Sequence, residues 1–311
     1  MTTQSTALAR SNQLIPVQPY ITDDAAGECW RLLLGDSCER LAELDDNSVD
    51  LIVYSPPFAS PYTYSPSERD LGNSANQEQF LQRYRFVIDE LLRVLKPGRT
   101  AAVHVQQIAI LKSREGYVGL RDFRGDVIAE HIDAGWIYYG EVTVDKNPQL
   151  QAVRTKAQGL MFVQLRRDSA LSRPAMADYV LLFHKPGDNE TPISPDIDNE
   201  TWIKWASPVW YDIREMATLN PGSGASDADE RHICPLQLPL IERCVRLWSN
   251  PGEVVLSPFA GIGSEGYVSV EQGRRFIGCE LKPSYWATAC DNLRKIEAEK
   301  MQPSLFAETV G

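Results

Sequence analysis

The chain has 311 residues, a hydrophobic fraction of 43% and a formal net charge of −11. This length and apolar content suit one large α/β domain with an insertion, or two modest domains. No apolar run approaches the roughly 20 residues that a membrane helix needs, and the polar start lacks the pattern of a secretion signal. Six cysteines occur without a C-x-x-C pair or a nearby histidine set, so we expect reduced thiols, no metal and a cytoplasmic protein.

Apolar periodicity predicts that strands and helices alternate along most of the chain. We expect strands at residues 30–34, 49–54, 100–105, 136–143, 179–183 and 275–280, and helices at residues 78–95, 123–134 and 285–296. Residues 184–224 mix prolines, asparagines and aromatic residues without a clear period, which indicates a recognition or substrate-facing insertion. Its aromatic side chains could stack on bases or pack a small core, and these are Trp202, Trp205, Trp210 and Tyr211.

The segment Ser55-Pro56-Pro57-Phe58 follows the predicted strand at residues 49–54. Two prolines fix φ and remove two backbone donors, which leaves the carbonyl groups of Ser55 and Pro56 free to accept hydrogen bonds. Acceptors beside an aromatic ring suit a planar amino group that must be held against an electrophile. A simple Pro-Pro turn after a strand is the structural alternative.

A second motif at residues 253–266 predicts a strand, a tight glycine turn and a helix. Gly261, Gly263 and Gly266 match G-x-G-x-x-G, and Glu280 follows at the distance expected of a ribose-binding acid. This match suits a nicotinamide-dependent oxidoreductase as well as a methyltransferase, and a helix-packing turn would also explain it. Because little chain remains after the motif, the other strands of a doubly wound sheet must come from the N-terminal half.

Together these motifs resemble the amino-methylating DNA methyltransferases of the permuted, or β, class. In that family a (D/N/S)-P-P-(Y/F/W) motif precedes F-x-G-x-G, as Ser55 to Phe58 precede Phe259 to Gly263 here. The segments at residues 34–37, 91–98 and 232–237 also look like family elements, and residues 54–73 look most like methylases of phages and prophages. The resemblance implies a Rossmann-like, doubly wound mixed sheet of the class I S-adenosylmethionine-dependent methyltransferases, circularly permuted, with a target-recognition insertion.

The resemblance also implies an activity and a set of site residues. Methyl would pass from S-adenosylmethionine to the exocyclic amine of a flipped base in double-stranded DNA, with Ser55, Pro56, Pro57 and Phe58 as catalytic residues. Such enzymes belong to restriction-modification systems and often form homodimers. The implied cofactor-binding residues are Asp36, His232, Pro235, Ser257, Phe259, Ala260, Gly261, Gly263 and Glu280. Asp36 could instead cap the helix that begins at Ser37.

Two serines depart from the commoner aspartates of the family. Within the resemblance, Ser55 is associated with N4 of cytosine more often than with N6 of adenine, so cytosine is the favoured target and adenine the alternative. Ser257 lacks the acceptor that the usual aspartate offers to the ammonium group of the cofactor. Two alternatives belong to other functional classes. One is a catalytically inactive DNA-binding relative, and the other is a nicotinamide-dependent oxidoreductase.

The acidic net charge disfavours DNA unless basic residues cluster locally. Residues 145–185 carry few acids, and we expect DNA to contact basic side chains there, namely Lys146, Arg154, Lys156, Arg166, Arg167 and Arg173. A solvated charged loop is the structural alternative. The expected organisation is a tail at residues 1–24, a catalytic half at 25–145, a target-recognition insertion at 146–226, a cofactor-binding half at 227–300 and a tail at 301–311.

Overall fold

The computed structural model describes residues 20–57, 69–74, 76–110, 116–155, 158–219 and 235–301. The strands are β1 (Asp23–Ala26), β2 (Trp30–Leu34), β3 (Val49–Tyr54), β4 (Leu95–Gln106), β5 (Ile108–Ile110), β6 (Gly119–Arg121), β7 (Ile137–Val144), β8 (Asp178–His184), β9 (Val209–Trp210), β10 (Val254–Ser257) and β11 (Arg275–Glu280). The helices are α1 (Ser37–Leu41), α2 (Gln77–Val94), α3 (Phe123–Asp133), α4 (Pro148–Thr155), α5 (Phe162–Arg167), α6 (Asn199–Trp205), α7 (Leu238–Trp248), α8 (Ser264–Glu271) and α9 (Pro283–Met301).

One large mixed sheet has the strand order β1-β2-β11-β10-β3-β4-β8-β7-β9. The five strands from β2 to β4 in this order are parallel, whereas β8 is antiparallel to both β4 and β7. Helices cover both faces of the sheet. Buried side chains of α1, α2 and α3 form one core, and those of α7, α8 and α9 form the core on the other face. The predicted doubly wound, Rossmann-like fold is confirmed.

The chain order places a topological switch point between β10 and β3. These neighbouring strands pair in parallel, and the chain after β10 passes through α8 to β11 on one side. The chain after β3 passes through α2 to β4 on the other side. In open α/β sheets, ligands bind at the carboxyl ends of strands where the strand order reverses in this way. The Ser55 and Phe259 motifs therefore meet at this edge of the sheet.

The predicted insertion at residues 146–226 needs correction, because part of it belongs to the sheet. β8 lies between β4 and β7, and its alternating apolar residues pack into both cores. After β8 the chain runs along the sheet edge opposite the switch point, where Ser194 N donates to the Asn250 side chain and Asp196 pairs with Arg274. This first part of the 184–224 segment therefore does not face the carboxyl ends of the parallel strands.

Most predicted elements are confirmed, while the helices α4, α5, α6 and α7 and the strands β1, β5, β6 and β9 were not expected. The aromatic residues of the 184–219 segment differ in exposure, and only Trp210 is placed in the core. Trp210 is buried and the Arg243 guanidinium lies over its ring, whereas Trp202 and Tyr211 are exposed. Over the ranges that the structure describes, no helix is both long enough and apolar enough to cross a bilayer.

Candidate active site

A cavity of about 540 Å³ opens at the carboxyl ends of the parallel strands. This volume lies within the usual range for sites that bind small molecules. Ser55, Pro56 and Pro57 line it from the end of β3, and the loop from Pro258 to Ile262 lines it from the end of β10. Asp36, after β2, and Glu280, at the end of β11, complete this side of the wall.

The glycine loop is held against the end of β11 by hydrogen bonds. Ala260 N donates to Cys279 O at 2.8 Å, and Gly261 N donates to the Glu280 carboxylate at 2.8 Å. The other carboxylate oxygen accepts from Lys282 N at 2.8 Å. Gly263 precedes α8 with φ of 87°, in the left-handed region that favours glycine. Glu280 therefore fixes the loops after both strands while facing the cavity.

Two buried glutamates, Glu265 and Glu280, line this cavity together with the buried Asp70. Burial raises the pKa of Glu265 to about 8, and the nearby Glu280 charge adds to the rise. Burial likewise raises the pKa of Glu280 to about 7, against the lowering effect of its two backbone donors. Among the described residues no basic side chain forms an ion pair with Glu265. A cation that enters the cavity would favour the charged form of both groups.

Ser55 is positioned by the buried residue before it and by β4 beside it. The Tyr54 hydroxyl lies 2.5 Å from the Tyr84 hydroxyl of α2, and its ring packs against Phe259 at 5.8 Å between centroids. Ser55 Oγ donates to the backbone carbonyl of His104 at 3.1 Å and also lies 3.2 Å from His104 Nδ1. The serine hydroxyl is therefore fixed at the cavity wall by a histidine of the neighbouring strand.

The other predicted cofactor residues differ in their placement. Asp36 caps α1 by accepting from Cys38 N at 3.0 Å, and it also faces the cavity beside Arg69. Pro235, Phe259 and Ala260 line the cavity. Ser257 is fully buried, its Oγ has no hydrogen-bond partner within the described ranges, and it does not reach the cavity wall. A direct contact between Ser257 and a cofactor is therefore not supported.

Several predicted residues cannot be placed. Phe58, His232 and Lys156 lie outside the described residues, and Arg154 is described only through the backbone of α4. Of the remaining basic residues, Arg166 and Arg167 are exposed on α5, and Arg173 is partly buried. Because the carboxyl end of β7 lies at the same sheet edge as that of β4, the segment that carries α4 and α5 leaves the sheet at the edge that carries Ser55.

Lys146 requires a correction, because it is not available for DNA. Its side chain is 7% exposed and its Nζ lies 2.6 Å from the Asp178 carboxylate. A buried lysine that already pairs with a carboxylate cannot reach a phosphate without breaking that pair.

Sequence reasoning missed several cavity residues. Glu265 follows the glycine loop in the first turn of α8, and its position there was the available signal. Arg83 and Phe86 reach the cavity from α2, a helix that was expected to serve core packing, and Lys282 and Tyr285 reach it from the start of α9. No local pattern marks these four positions.

The residues present fit S-adenosylmethionine. That cofactor carries a sulfonium and an ammonium group, and the cavity offers the buried carboxyl groups of Asp70, Glu265 and Glu280. Glu280 retains oxygen lone pairs for hydroxyl donors after accepting its two backbone bonds. Across the described parts of the chain, no group of three or more His, Cys, Asp or Glu side chains could hold a metal ion.

The chain matches the N6_N4_Mtase family model, described as DNA methylase, over residues 49–291. It is 44% identical over 269 residues to the DNA adenine methyltransferase YhdJ of Escherichia coli K12, covering 83% of this chain and 80% of YhdJ. The protein TTHA0409 of Thermus thermophilus, solved with S-adenosyl-L-methionine, has a TM-score of 0.63 at 24% identity, covering 85% of this chain and 94% of that one. The cytosine-N4-specific PvuII DNA methyltransferase has a TM-score of 0.62 at 17% identity, with 88% and 93% covered.

These matches agree with the arrangement of the cavity and leave the nicotinamide alternative without support. The family model spans more than half of the chain and contains both the Ser55 and Phe259 motifs. The chain therefore belongs to the family of S-adenosylmethionine-dependent DNA methylases that modify the exocyclic amino groups of adenine (N6) or cytosine (N4).

Proposed function

We propose that this chain transfers the methyl group of S-adenosylmethionine to the N4 amino group of a cytosine flipped out of duplex DNA. The observation that carries the proposal is the shared cavity of the Ser55-Pro56-Pro57 turn and the glycine loop. A cofactor bound along the loop and an amine held at the turn would meet there without a covalent enzyme intermediate. Holding both reactants in line supplies much of the catalysis that such a transfer needs.

The cofactor binds at one end of the cavity and the target base at the other. Glu280 accepts hydrogen bonds from the ribose hydroxyls, Phe259 lies along the cofactor, and Asp36 lies near the adenine ring. Pro235 borders the methionine end, and S-adenosylmethionine supplies the electrophilic methyl group. At the other end, Ser55 and the Pro56 carbonyl hold the amino group of the target base, and Phe58 stacks on its ring.

The target base is the finer part of the proposal. A neutral serine hydroxyl at position 55 accepts hydrogen bonds less strongly than an aspartate, and the structural likeness to a cytosine-N4-specific enzyme is compatible with cytosine. The second candidate is N6 of adenine, which is favoured by the 44% identity to an adenine methyltransferase. Both targets share the same amine geometry and the same cofactor.

DNA is proposed to approach the sheet edge that carries the cavity. The α4 and α5 segment leaves the sheet at that edge, and Arg166 and Arg167 are exposed on it. Guanidinium groups at such a position can contact phosphates on either side of the flipped base and offset the acidic net charge locally.

Labelled methyl transfer to unmethylated genomic DNA, followed by separation of the nucleosides by mass, tests the proposal. We expect label in N4-methylcytosine, and a loss of at least ~100-fold in rate for Ser55→Ala. Ser48→Ala is a matched control, because Ser48 precedes β3 at its opposite end. Label in N6-methyladenine would replace the cytosine assignment with adenine. No label, despite measurable cofactor binding, would favour a catalytically inactive DNA-binding relative.

A further inference from the structure

A cluster of polar side chains lies behind Ser55, on the ends of β4 and β8. His104 and Gln106 point to the same face of β4, since side chains alternate along a strand. Asp178 begins β8 opposite Gln106 in the antiparallel register. Its carboxylate accepts from Gln106 Nε2 at 2.7 Å and from Lys146 Nζ at 2.6 Å. These groups do not line the cavity, so any role in the reaction must pass through Ser55.

His104 connects the cluster to the serine. Its Nδ1 lies 3.2 Å from Ser55 Oγ, and its Nε2 lies 3.1 Å from the second oxygen of Asp178. The Nε2 contact is out of line for a good hydrogen bond, so its contribution is mainly electrostatic. If the imidazole carries its proton on Nε2, toward the carboxylate, Nδ1 can accept the serine proton once the hydroxyl turns away from the His104 carbonyl.

Asp178 is held in its charged form for this arrangement. Burial alone would raise its pKa, but the contacts with His104 and Lys146 outweigh burial and lower the pKa below its usual value. Lys146 also balances the charge of the carboxylate. The pattern of hydroxyl, imidazole and carboxylate is one that orients and accepts protons in hydrolytic enzymes.

Methylation of an amino group creates a proton that must leave. The nitrogen lone pair forms a bond to the methyl carbon while the carbon–sulfur bond breaks, and its electron pair stays on sulfur as a neutral thioether. The nitrogen then carries a positive charge until it loses one of its two protons. Ser55 Oγ, placed to hold that amino group in the proposed function, could take the proton.

We propose that His104 is the proton acceptor behind Ser55, and that Asp178 orients it. Ser55 Oγ takes one proton from the methylated nitrogen and passes its own hydroxyl proton to His104 Nδ1. The resulting imidazolium is stabilised by Asp178 and later returns its proton to solvent. His104 is thus a positioning and relay residue that acts through Ser55. This inference rests on the proposed methyl transfer.

Single-turnover methyl transfer by the full chain on unmethylated DNA tests the relay with two substitutions of His104. His104→Asn retains an acceptor for the serine hydroxyl but cannot take up a proton, and His104→Ala loses both functions. We expect the transfer rate to fall by ~100-fold or more in both variants, while the Kd values for S-adenosylmethionine and DNA stay within about twofold. His184→Asn is the matched control, because His184 ends β8 at the opposite edge of the sheet.

The outcomes separate the inference from the function on which it rests. A wild-type rate in His104→Asn, with normal cofactor binding and thermal stability, would overturn the relay. Restoration by asparagine of activity lost in alanine would also overturn it, because it would show that His104 only holds the serine. A fold defect in both variants transfers the test to Asp178→Asn, for which a wild-type rate would refute the orienting role. Absence of methyl transfer by the wild-type chain would refute the proposed function itself.

Discussion

At the scale of single residues, the two buried glutamates of the cavity have a testable electrostatic consequence. Burial raises the pKa of Glu265 to about 8 and of Glu280 to about 7. Both are largely neutral at pH 6, and Glu280 in particular is largely ionised at pH 8. A cationic cofactor favours the ionised forms, so its binding releases protons. We expect the Kd for S-adenosylmethionine to decrease about tenfold between pH 6 and pH 8, as measured by titration calorimetry in buffers of different ionisation enthalpy.

The variant Glu265→Gln isolates the contribution of the protein. Glutamine imitates the protonated acid at every pH, so the pH dependence should become weaker, while any ionisation of the cofactor itself remains unchanged. Without cofactor, the stability of the fold should decrease as the pH rises, whereas the affinity for the cofactor increases. A carboxyl group whose pKa is higher in the folded than in the unfolded chain stabilises the fold fully at pH values below its pKa in the unfolded chain. This contribution is lost as the pH rises toward 8. A Kd that is equal at pH 6 and pH 8 would contradict the prediction.

The site could be predicted from sequence where backbone geometry imposes a pattern. Prolines after a strand and glycines before a helix are local constraints, so Ser55 and Gly261 could be assigned to a common edge. Lys146 could not, because its pairing with Asp178 depends on the antiparallel contact between distant strands. Glu265 had only its position after the glycine loop as a signal, and its burial could not be predicted because it depends on how α8 packs against the sheet.

At the scale of secondary-structure elements, Gly266 shows what the third glycine of the motif contributes. A Cβ at this position would lie 2.5 Å from the Phe276 ring and 2.8 Å from Leu293. We therefore expect Gly266→Ala to destabilise the protein by about 1–3 kcal/mol, because overpacking outweighs the gain in helix propensity. Denaturant unfolding should show this as a lower midpoint.

Gly119→Ala is a suitable control for that substitution. Its added Cβ would meet the Tyr117 ring at 3.4 Å, which is an ordinary contact. The control should change the free energy of unfolding by less than about 1 kcal/mol. Equal stability of the wild type and Gly266→Ala would show that α8 can move away from β11, and that close packing is not the reason for this glycine.

Elements with a strong period were predictable, and elements defined by long-range contacts were not. The apolar residues of α2 repeat at helical spacing, and its start and end were predicted closely. The short helices α4 and α5 expose several apolar side chains, including Leu150, Val153, Phe162 and Leu165. A segment that does not bury one continuous face gives no clear period, which is why this region could be predicted only by its charge.

At the scale of the whole molecule, a buried ion cluster joins the two sequence halves that the permutation separates. Arg99 on β4 is 1% exposed and bonds to Glu253 at 3.1 Å, just before β10, and it also lies 3.5 Å from Asp50 of β3. Asp50 in turn accepts from Val254 N at 2.9 Å. The cluster lies at the edge opposite the cavity, so it ties the halves together without contacting the site.

Arg99→Met should therefore lower stability without altering the chemistry. Removal of the guanidinium leaves the largely buried Glu253 without its ion-pair partner, while Lys96 still pairs with Asp50, and we expect a loss of about 3 kcal/mol. Below the melting temperature the Kd for cofactor should stay within about twofold of the wild-type value. Arg294→Met, which breaks an exposed pair with Asp291, should change stability by less than about 1 kcal/mol. Similar effects of the two variants would refute a special role for the buried cluster.

If the proposed function is right, this acidic protein must bind DNA, which is a polyanion. The salt dependence of binding shows which basic side chains contact the phosphates. Arg166 and Arg167 are exposed on α5, whereas Lys146 is buried with Asp178. Each phosphate contact contributes roughly 0.9 to the slope of log K against log salt concentration. Arg166→Ala and Arg167→Ala should each lower that slope by about one unit and weaken binding similarly for all sequences. Arg294→Ala should leave the slope unchanged. If the α5 variants also leave it unchanged, DNA does not follow this segment, and another basic surface must offset the charge.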